Sequence, residues 1–471
     1  KDGGQSWQEI TPPAELMPEW SKVSIIEPSP HDEATAYMAV IRYMHGDPNP
    51  YLYKTSDYGE TWTKMTNGIP EGEFTRVIRE DPNRRGLLYA GTETGLYISF
   101  DDGQNWQPFQ CNLPVCPIHD LVIKGTDLIA ATHGRSFWIL DDLSPLYQID
   151  GATAQQAAVL FEPRPATRYK VYGRMLDLRN PKPDMNFLMA GPVTVGLDIV
   201  ETPTGIPKAR FLDAGENPPD GAILHYWLAS EPGELTLRIE DEAGNEVVSF
   251  SNDPDTRPRL PAAAGANRFV WDLRYGQPVN LVDTGELPVN LPAKAIPGTY
   301  RVTLTVDGSS YTQPLTIAPD PRLPWTVEDL AAQRDLKLAL CDRVGEIHEA
   351  ANRIRRMKEQ IEAVTGRPDA TDALKEQGEQ LTEKLTEIEG KLVNIDPQGR
   401  KRGATAVAEK LKTLAAMIDE GDSAPTRQMG EVFDAVSEEI GGYLEDLTSL
   451  MERDVAAFNA SIAASGLAPV R

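Results

Sequence analysis

From Val23 to Leu140 apolar and polar residues alternate in short runs, broken by Gly, Asp and Pro. Period-two alternation of this kind predicts half-buried strands, not helices. The runs fall into three groups. Val23–Ile26, Ala36–Ile41 and Tyr51–Tyr53 form the first, and Phe74–Ile78, Gly86–Gly91 and Gly95–Ile98 the second. His119–Ile123, Leu128–Thr132 and Ser136–Leu140 form the third, which the chain leaves through Asp141 and Asp142. A hairpin pattern recurs beside the first two groups, as Ser56-Asp57-Tyr58-Gly59-Glu60-Thr61-Trp62 and as Ser99-Phe100-Asp101-Asp102-Gly103-Gln104-Asn105-Trp106. A third copy, Asp2-Gly3-Gly4-Gln5-Ser6-Trp7, opens the chain. A unit that returns every roughly 45–55 residues predicts an array of similar sheets.

Each residue of the repeated hairpin has a physical task. The Asp accepts hydrogen bonds from backbone N–H groups of the turn. The Gly adopts a positive φ at no steric cost. The Ser, Thr or Asn before Trp closes the turn with a side-chain bond, and the Trp brings a large apolar face to bury between sheets. The pattern resembles the Asp-box, or bacterial neuraminidase repeat, S-x-D-x-G-x-T-W. In such families the box braces a turn, so Asp2, Gly4, Trp7, Asp57, Gly59, Trp62, Asp101, Gly103 and Trp106 are expected to be structural. The alternative is substrate or metal binding by the three Asp residues. Residues 1–148 are expected to be a partial β-propeller of about three blades, whereas closure takes about 4–8. Because Lys1 lies inside a hairpin, further sequence, with any signal peptide, is expected upstream.

The pattern changes near Leu146. Residues 149–215 are rich in Pro and Gly and predict an irregular connector, with an extended insertion from Met175 to Pro203. Alternation returns at Ala222–Leu228, Leu235–Glu240, Glu246–Phe250, Asn267–Leu273, Thr299–Val306 and Tyr311–Ile317. Asp307-Gly308 forms a hairpin tip. Residues 216–319 therefore predict a small antiparallel sandwich of immunoglobulin-like type.

Beyond the Pro-rich link at residues 319–324 the period becomes helical. Leu336, Leu340, Val344, Ile347, Ala351 and Ile354 recur at three and four; so do Leu374, Leu381, Leu385, Ile388 and Leu392, and Val432, Val436, Ile440, Leu444, Leu447 and Met451. Thr326 is placed to cap the first helix. Residues 325–465 predict three or four amphipathic helices in an antiparallel bundle. The apolar stripes pack within the chain or, alternatively, drive self-association. The fold class is thus multidomain, mainly β and then α.

Composition narrows the partners. The 471 residues include 71 acidic and 46 basic ones, a formal charge of −25. That balance argues against nucleic acid and against anionic membrane, since both need clustered Lys and Arg. No apolar run approaches the roughly 20 residues of a membrane span. The three cysteines, Cys111, Cys116 and Cys341, contain no C-x-x-C pair and predict isolated thiols, although Cys111 and Cys116 share one loop. No metal or cofactor is expected.

The strongest chemical candidate is Thr132-His133-Gly134-Arg135-Ser136-Phe137-Trp138. His133 can act as acid, base or ligand, and Arg135 can clamp a carboxylate. The alternative is a hydrogen-bond hub in which Arg135 pairs Asp141 or Asp142 and His133 caps backbone groups. His119-Asp120 is a second candidate. The arginines Arg42, Arg76, Arg79, Arg84, Arg85 and Arg135 show no spacing that selects a carboxylate-binding trio. Neither a phosphate-binding G-x-x-x-x-G-K loop, nor H-E-x-x-H, nor G-x-S-x-G occurs.

Taken in order, the Asp-box hairpins, "THGRSFWILDD" (132–142), "GENPPDGA" (215–222), "NRFVWDLRY" (267–275), "PGTYRVTLTVDG" (297–308) and a helical tail resemble the large bacterial BNR-repeat proteins called glycosyl hydrolase or sortilin N-terminal domain-containing. The resemblance implies an extracellular or periplasmic propeller protein that binds a glycan or peptide. It also leaves open a glycoside hydrolase, sialidase-like or xyloglucanase-like, with its active site in upstream blades. No catalytic residue is carried over from it.

Overall fold

A computed structural model describes residues 4–169, 187–190, 193–212, 215, 217–279, 281, 292–324, 326–394, 406–463 and 470. The chain separates into two compact units, Lys1–Ala154 and Gln155–Arg471.

The first unit is three successive antiparallel meanders. Strands β1 (Lys22–Pro28), β2 (Ala36–Arg42), β3 (Asp47–Thr55) and β4 (Thr63–Lys64) lie in sequence order in one sheet. The second sheet repeats the plan with β5 (Thr75–Glu80), β6 (Leu88–Thr92), β7 (Leu96–Ser99) and β8 (Gln107–Pro108). The third has β9 (Ile118–Lys124), β10 (Asp127–Thr132) and β11 (Phe137–Leu140), followed by the short helix α1 (Ser144–Gln148).

The sheets stack face to face through apolar residues set two apart on their strands. Tyr37, Ala39 and Leu52 of the first sheet share a buried cluster with Ile78, Leu88, Ala90 and Tyr97 of the second. Val77, Tyr89, Leu96 and Ile98, which point to the other face, form the next cluster with Ile118, Leu121, Leu128 and Ala130 of the third. Period-two alternation puts successive side chains on opposite faces, so a middle sheet serves two cores at once. The leading strands meet: β5 packs on β1 and β2, and β9 on β5. This is a propeller-like stack.

In the second unit, β12 (Ala158–Leu160), β17 (Ala222–Leu228) and β20 (Gly265–Trp271) form one sheet. The facing sheet orders β13 (Ala166–Arg168), β22 (Ser309–Pro319), β21 (Gly298–Val306), β18 (Leu235–Glu240) and β19 (Glu246–Ser251). One core of Leu224, Tyr226, Phe269, Trp271, Leu237, Ile239, Val302, Leu304 and Leu315 lies between them. Two features differ from the sequence expectation. The strands β12 and β13 come from within the stretch 149–215 read as a connector, and β13 runs parallel to β22, with Ala166 opposite Ile317. Three-residue strands are too short to show a period. The same stretch also holds β14 (Phe187–Ala190), β15 (Val193–Glu201) and β16 (Pro207–Phe211), an antiparallel three-stranded sheet where an irregular insertion was expected. Its remaining residues, 170–186 among them, lie outside the described residues.

The helices are α2 (Val327–Thr365), α3 (Asp372–Leu392), α4 (Val407–Ile418), α5 (Arg427–Leu450) and α6 (Ala456–Ala463), the last two joined by a π turn at Met451–Val455. Thr326 accepts from the Asp329 N–H at 3.1 Å and starts α2. The predicted stripes face one core, from Leu340, Val344 and Ile347 of α2 to Leu385, Leu411, Ile440 and Phe458. Arg168 sits among sandwich and helices, 3% exposed. It donates to the Ala295 carbonyl at 2.9 Å, to Gln333 of α2 at 2.7 Å and to Asp422 at 2.8 Å. No helix among the described residues is long and apolar enough to cross a membrane.

Candidate functional site

The two complete Asp-box hairpins of the first unit match bond for bond. In the β3–β4 turn Asp57 accepts from the Thr61 N–H (2.9 Å), the Thr61 hydroxyl (2.6 Å) and the Thr55 hydroxyl (2.8 Å). In the β7–β8 turn Asp101 accepts from the Asn105 N–H (2.8 Å), the Asn105 amide (2.7 Å) and the Ser99 hydroxyl (2.8 Å). The N–H groups of Gly59 and Gly103 each donate to the hydroxyl at the strand end, at 2.9 Å in both. Thr61 holds the Asp57 carboxyl below its ordinary value, through hydroxyl and N–H alike. Partial burial pushes Asp101 up, but the bonds from Asn105 and Ser99 outweigh it and leave that carboxyl low as well.

The tryptophans are graded. Trp106 is buried and donates to the Met65 carbonyl of the preceding sheet at 2.9 Å. Trp62 is half-buried and donates to Ile10 at 2.8 Å. Trp7 is 91% exposed, unlike the buried ring that the repeat predicts. Gly4 has a φ of 83°, as the hairpin requires, and Asp2 lies outside the described residues.

The meander topology puts these turns on one rim of the stack. The opposite rim carries the links β2–β3, β6–β7 and β10–β11 and the starts of β5 and β9. The sequence-predicted pair His133 and Arg135 sits there, in the β10–β11 turn, with Arg135 exposed and His133 half-buried. The Thr132 hydroxyl donates to the Ser136 carbonyl (2.5 Å) and accepts from the Arg135 N–H (3.2 Å), while the Trp138 indole donates to the Arg135 carbonyl (2.8 Å). The turn is therefore fixed from both sides. The His133 N–H donates to the Pro117 carbonyl at 2.9 Å. This brings the His133 ring onto His119, centroids 4.9 Å apart and planes 26° apart. The expected pairing of Arg135 with Asp141 or Asp142 is not formed: its guanidinium donates to the Gly134 carbonyl at 3.2 Å. Arg135 lies too far along its turn, because Asp142 is at the other end of β11.

Next to the imidazoles lies a group that spacing alone did not select. Arg76, at the start of β5, donates twice to Glu93, at 2.8 and 2.5 Å. Its guanidinium also lies 4.8 Å from the centre of the Phe74 ring, which stacks on Tyr43 at 4.9 Å. Burial holds His119 below the ordinary imidazole value; the positive charges of Arg76 and His133 add to this, and Glu93 opposes it. Burial likewise raises the Cys116 thiol, against the pull of Arg135 and a bond with Thr132. All three cysteines are free.

Deeper along the leading strands, Arg79 of β5 ties the neighbours together. It donates to Glu27 of β1 at 2.8 Å, and to Asp120 and the Leu121 carbonyl of β9 at 2.7 Å each. Burial is the main reason the Glu27 carboxyl is raised, with Arg79 acting against it. So Asp120, half of the second sequence candidate, serves this tie while His119 serves the rim. Alignment of the repeated units would have revealed both, since Arg76 and His119 each stand near the start of a leading strand.

No family model matches the chain. A stretch of 67 residues is 36% identical to a "Probable oligoxyloglucan-reducing end-specific xyloglucanase" of Neosartorya fischeri, spanning 13% of this chain and 8% of that protein. Among solved structures, YCF48 bound to D1 peptide aligns with 26% of this chain and 37% of its own, at 16% identity and a TM-score of 0.20. A GH74 enzyme of Niastella koreensis aligns over 62% of this chain and 46% of its own, at 13% identity and a TM-score of 0.22. The chain thus spans less than half the length of each of these proteins.

Proposed function

We propose that this chain belongs to an extracellular or periplasmic propeller protein, that its three stacked sheets are blades, and that the rim opposite the Asp-box turns binds a glycan or peptide ligand. The observation that carries the reading is the convergence of His119, His133, Arg135, Arg76, Tyr43 and Phe74 from three successive sheets onto that rim. Aromatic faces and cationic donors on rigid strand ends suit recognition, since loops held by a fixed scaffold present side chains with little ordering cost. The immunoglobulin-like sandwich and the helices act as accessory modules. A groove between α4 and α5, lined by Leu414, Met417, Met429 and Val432, is the surface for self-association; light scattering on the intact chain tests that.

A glycan array and a peptide pull-down on the intact chain test ligand binding. We expect a ligand whose capture drops on His133→Ala and Arg135→Ala. Retention of full binding by both variants would remove the rim from the function.

The 36% identity to a xyloglucanase over 67 residues favours a second reading, a glycoside hydrolase acting through the complete propeller. Release of reducing ends from xyloglucan by the full-length protein would move the assignment to it.

A further inference from the structure

The proposed ligand-binding role of the rim, on which this inference rests, can be carried to the chemistry of the ligand. Acidic residues outnumber basic ones by 71 to 46. Arginines on the leading strands turn their charge inward, Arg76 to Glu93 and Arg79 to Glu27 and Asp120. Arg135 does not. It is exposed, its guanidinium donates to the carbonyl of its own neighbour Gly134, and among the described residues no carboxylate pairs with it.

Two residues away in the same turn, His133 stacks on His119 at 4.9 Å. Two imidazoles at that distance oppose each other's protonation, as like charges do. The groups facing the pair are Arg76 from β5, Glu93 from the β6–β7 turn, and Arg135 with Cys116 beside it. A single anion set against Arg135 and the imidazoles removes the repulsion. A carboxylate fits this set, because its two oxygens match the guanidinium fork and accept from an imidazolium as well. The exposed side chain of Phe137 follows the turn and offers apolar surface for the rest of the ligand.

We propose that Arg135 with the stacked His119 and His133 forms a carboxylate seat, taking the uronate of an acidic oligosaccharide or the C-terminal carboxylate of a peptide. Binding then draws protons onto the imidazoles. Affinity rises as pH falls through the imidazole range, and weakens with salt because the site is exposed.

Titration calorimetry on the full chain tests this with four probes: trigalacturonate, its methyl ester, a heptapeptide with a free C-terminus, and the same peptide amidated. Each is run at about pH 5.5 and about pH 7.5, in two buffers of different ionisation heat, so that proton uptake is read directly. We expect at least one carboxylate probe to bind about tenfold tighter than its neutral partner, a difference abolished by Arg135→Gln and partly restored by Arg135→Lys. Which acid binds identifies the source. Equal binding of acid and neutral partners would overturn the carboxylate seat and leave the ligand-binding reading intact. No binding by any probe, together with an empty glycan array and pull-down, would overturn both.

Discussion

Asp101 and Asp57 are the residues whose bonds the sequence shows most directly, because every partner lies within four positions along the chain. Their carboxyls sit below the ordinary 3.8 in the folded protein. A depressed folded pKa means stability that is present above the unfolded value and lost as pH falls through the folded one. We therefore expect acid unfolding of the first unit to begin below about pH 4, and Asp101→Asn to lower stability at neutral pH while flattening that acid limb in near-ultraviolet circular dichroism. Gly68 makes a harder demand. Its φ is +99°, and a Cβ there would meet the Trp106 carbonyl oxygen at 2.0 Å, which is backbone and cannot swing aside. Gly68→Ala should cost roughly 1–3 kcal/mol, read from the urea midpoint. The chemistry of His133 and Arg135 was legible from residue type. The partner of His133 was not, because the β-bulge between Ala131 and Thr132 shifts the β9–β10 register and only then brings His119 alongside.

Elements long enough to show a period were legible, and short ones were not. The strands β4 and β8 have two residues each and β12 and β13 three, so packing and not pattern creates them. In the helices, Val432 belongs to a predicted core stripe yet is 48% exposed, because the stripe of α5 is wider than the face its neighbours cover. The Trp of each hairpin gives a graded test of sheet stacking. Trp106→Ala should cost about 3–5 kcal/mol, since it removes a buried ring and leaves the Met65 carbonyl without its indole partner. Trp62→Ala should cost clearly less, because that ring is half in solvent. Equal losses in chemical denaturation would contradict the packing described for the two sheets.

For the molecule as a whole, the sequence shows a sandwich followed by helices and hides how tightly they join. Arg168 comes from a three-residue strand in a stretch that reads as connector, yet it reaches α2 and the α4–α5 link at once. Lys337 of α2 pairs with Asp419 at 2.6 Å and Arg274 with the same carboxylate at 3.4 Å, so the joint is a charge network. Removing one member of such a buried set leaves its partners unpaired and costs about 3–5 kcal/mol. Arg168→Ala should therefore lower, by one common shift, the thermal midpoints read from helical and from near-ultraviolet signals. A shift in one signal alone would show that sandwich and helices melt independently. The third meander has a consequence of its own. Its last strand, β11, has no partner on its outer side among the described residues, and Phe137 and Ile139 stand 72% and 59% exposed along it. An open row of backbone donors and acceptors beside greasy side chains invites any stray extended segment to zip on. Mutual repulsion between copies that carry 25 excess negative charges holds such zipping off, so concentrated samples brought to mild acidity should cloud through this strand first.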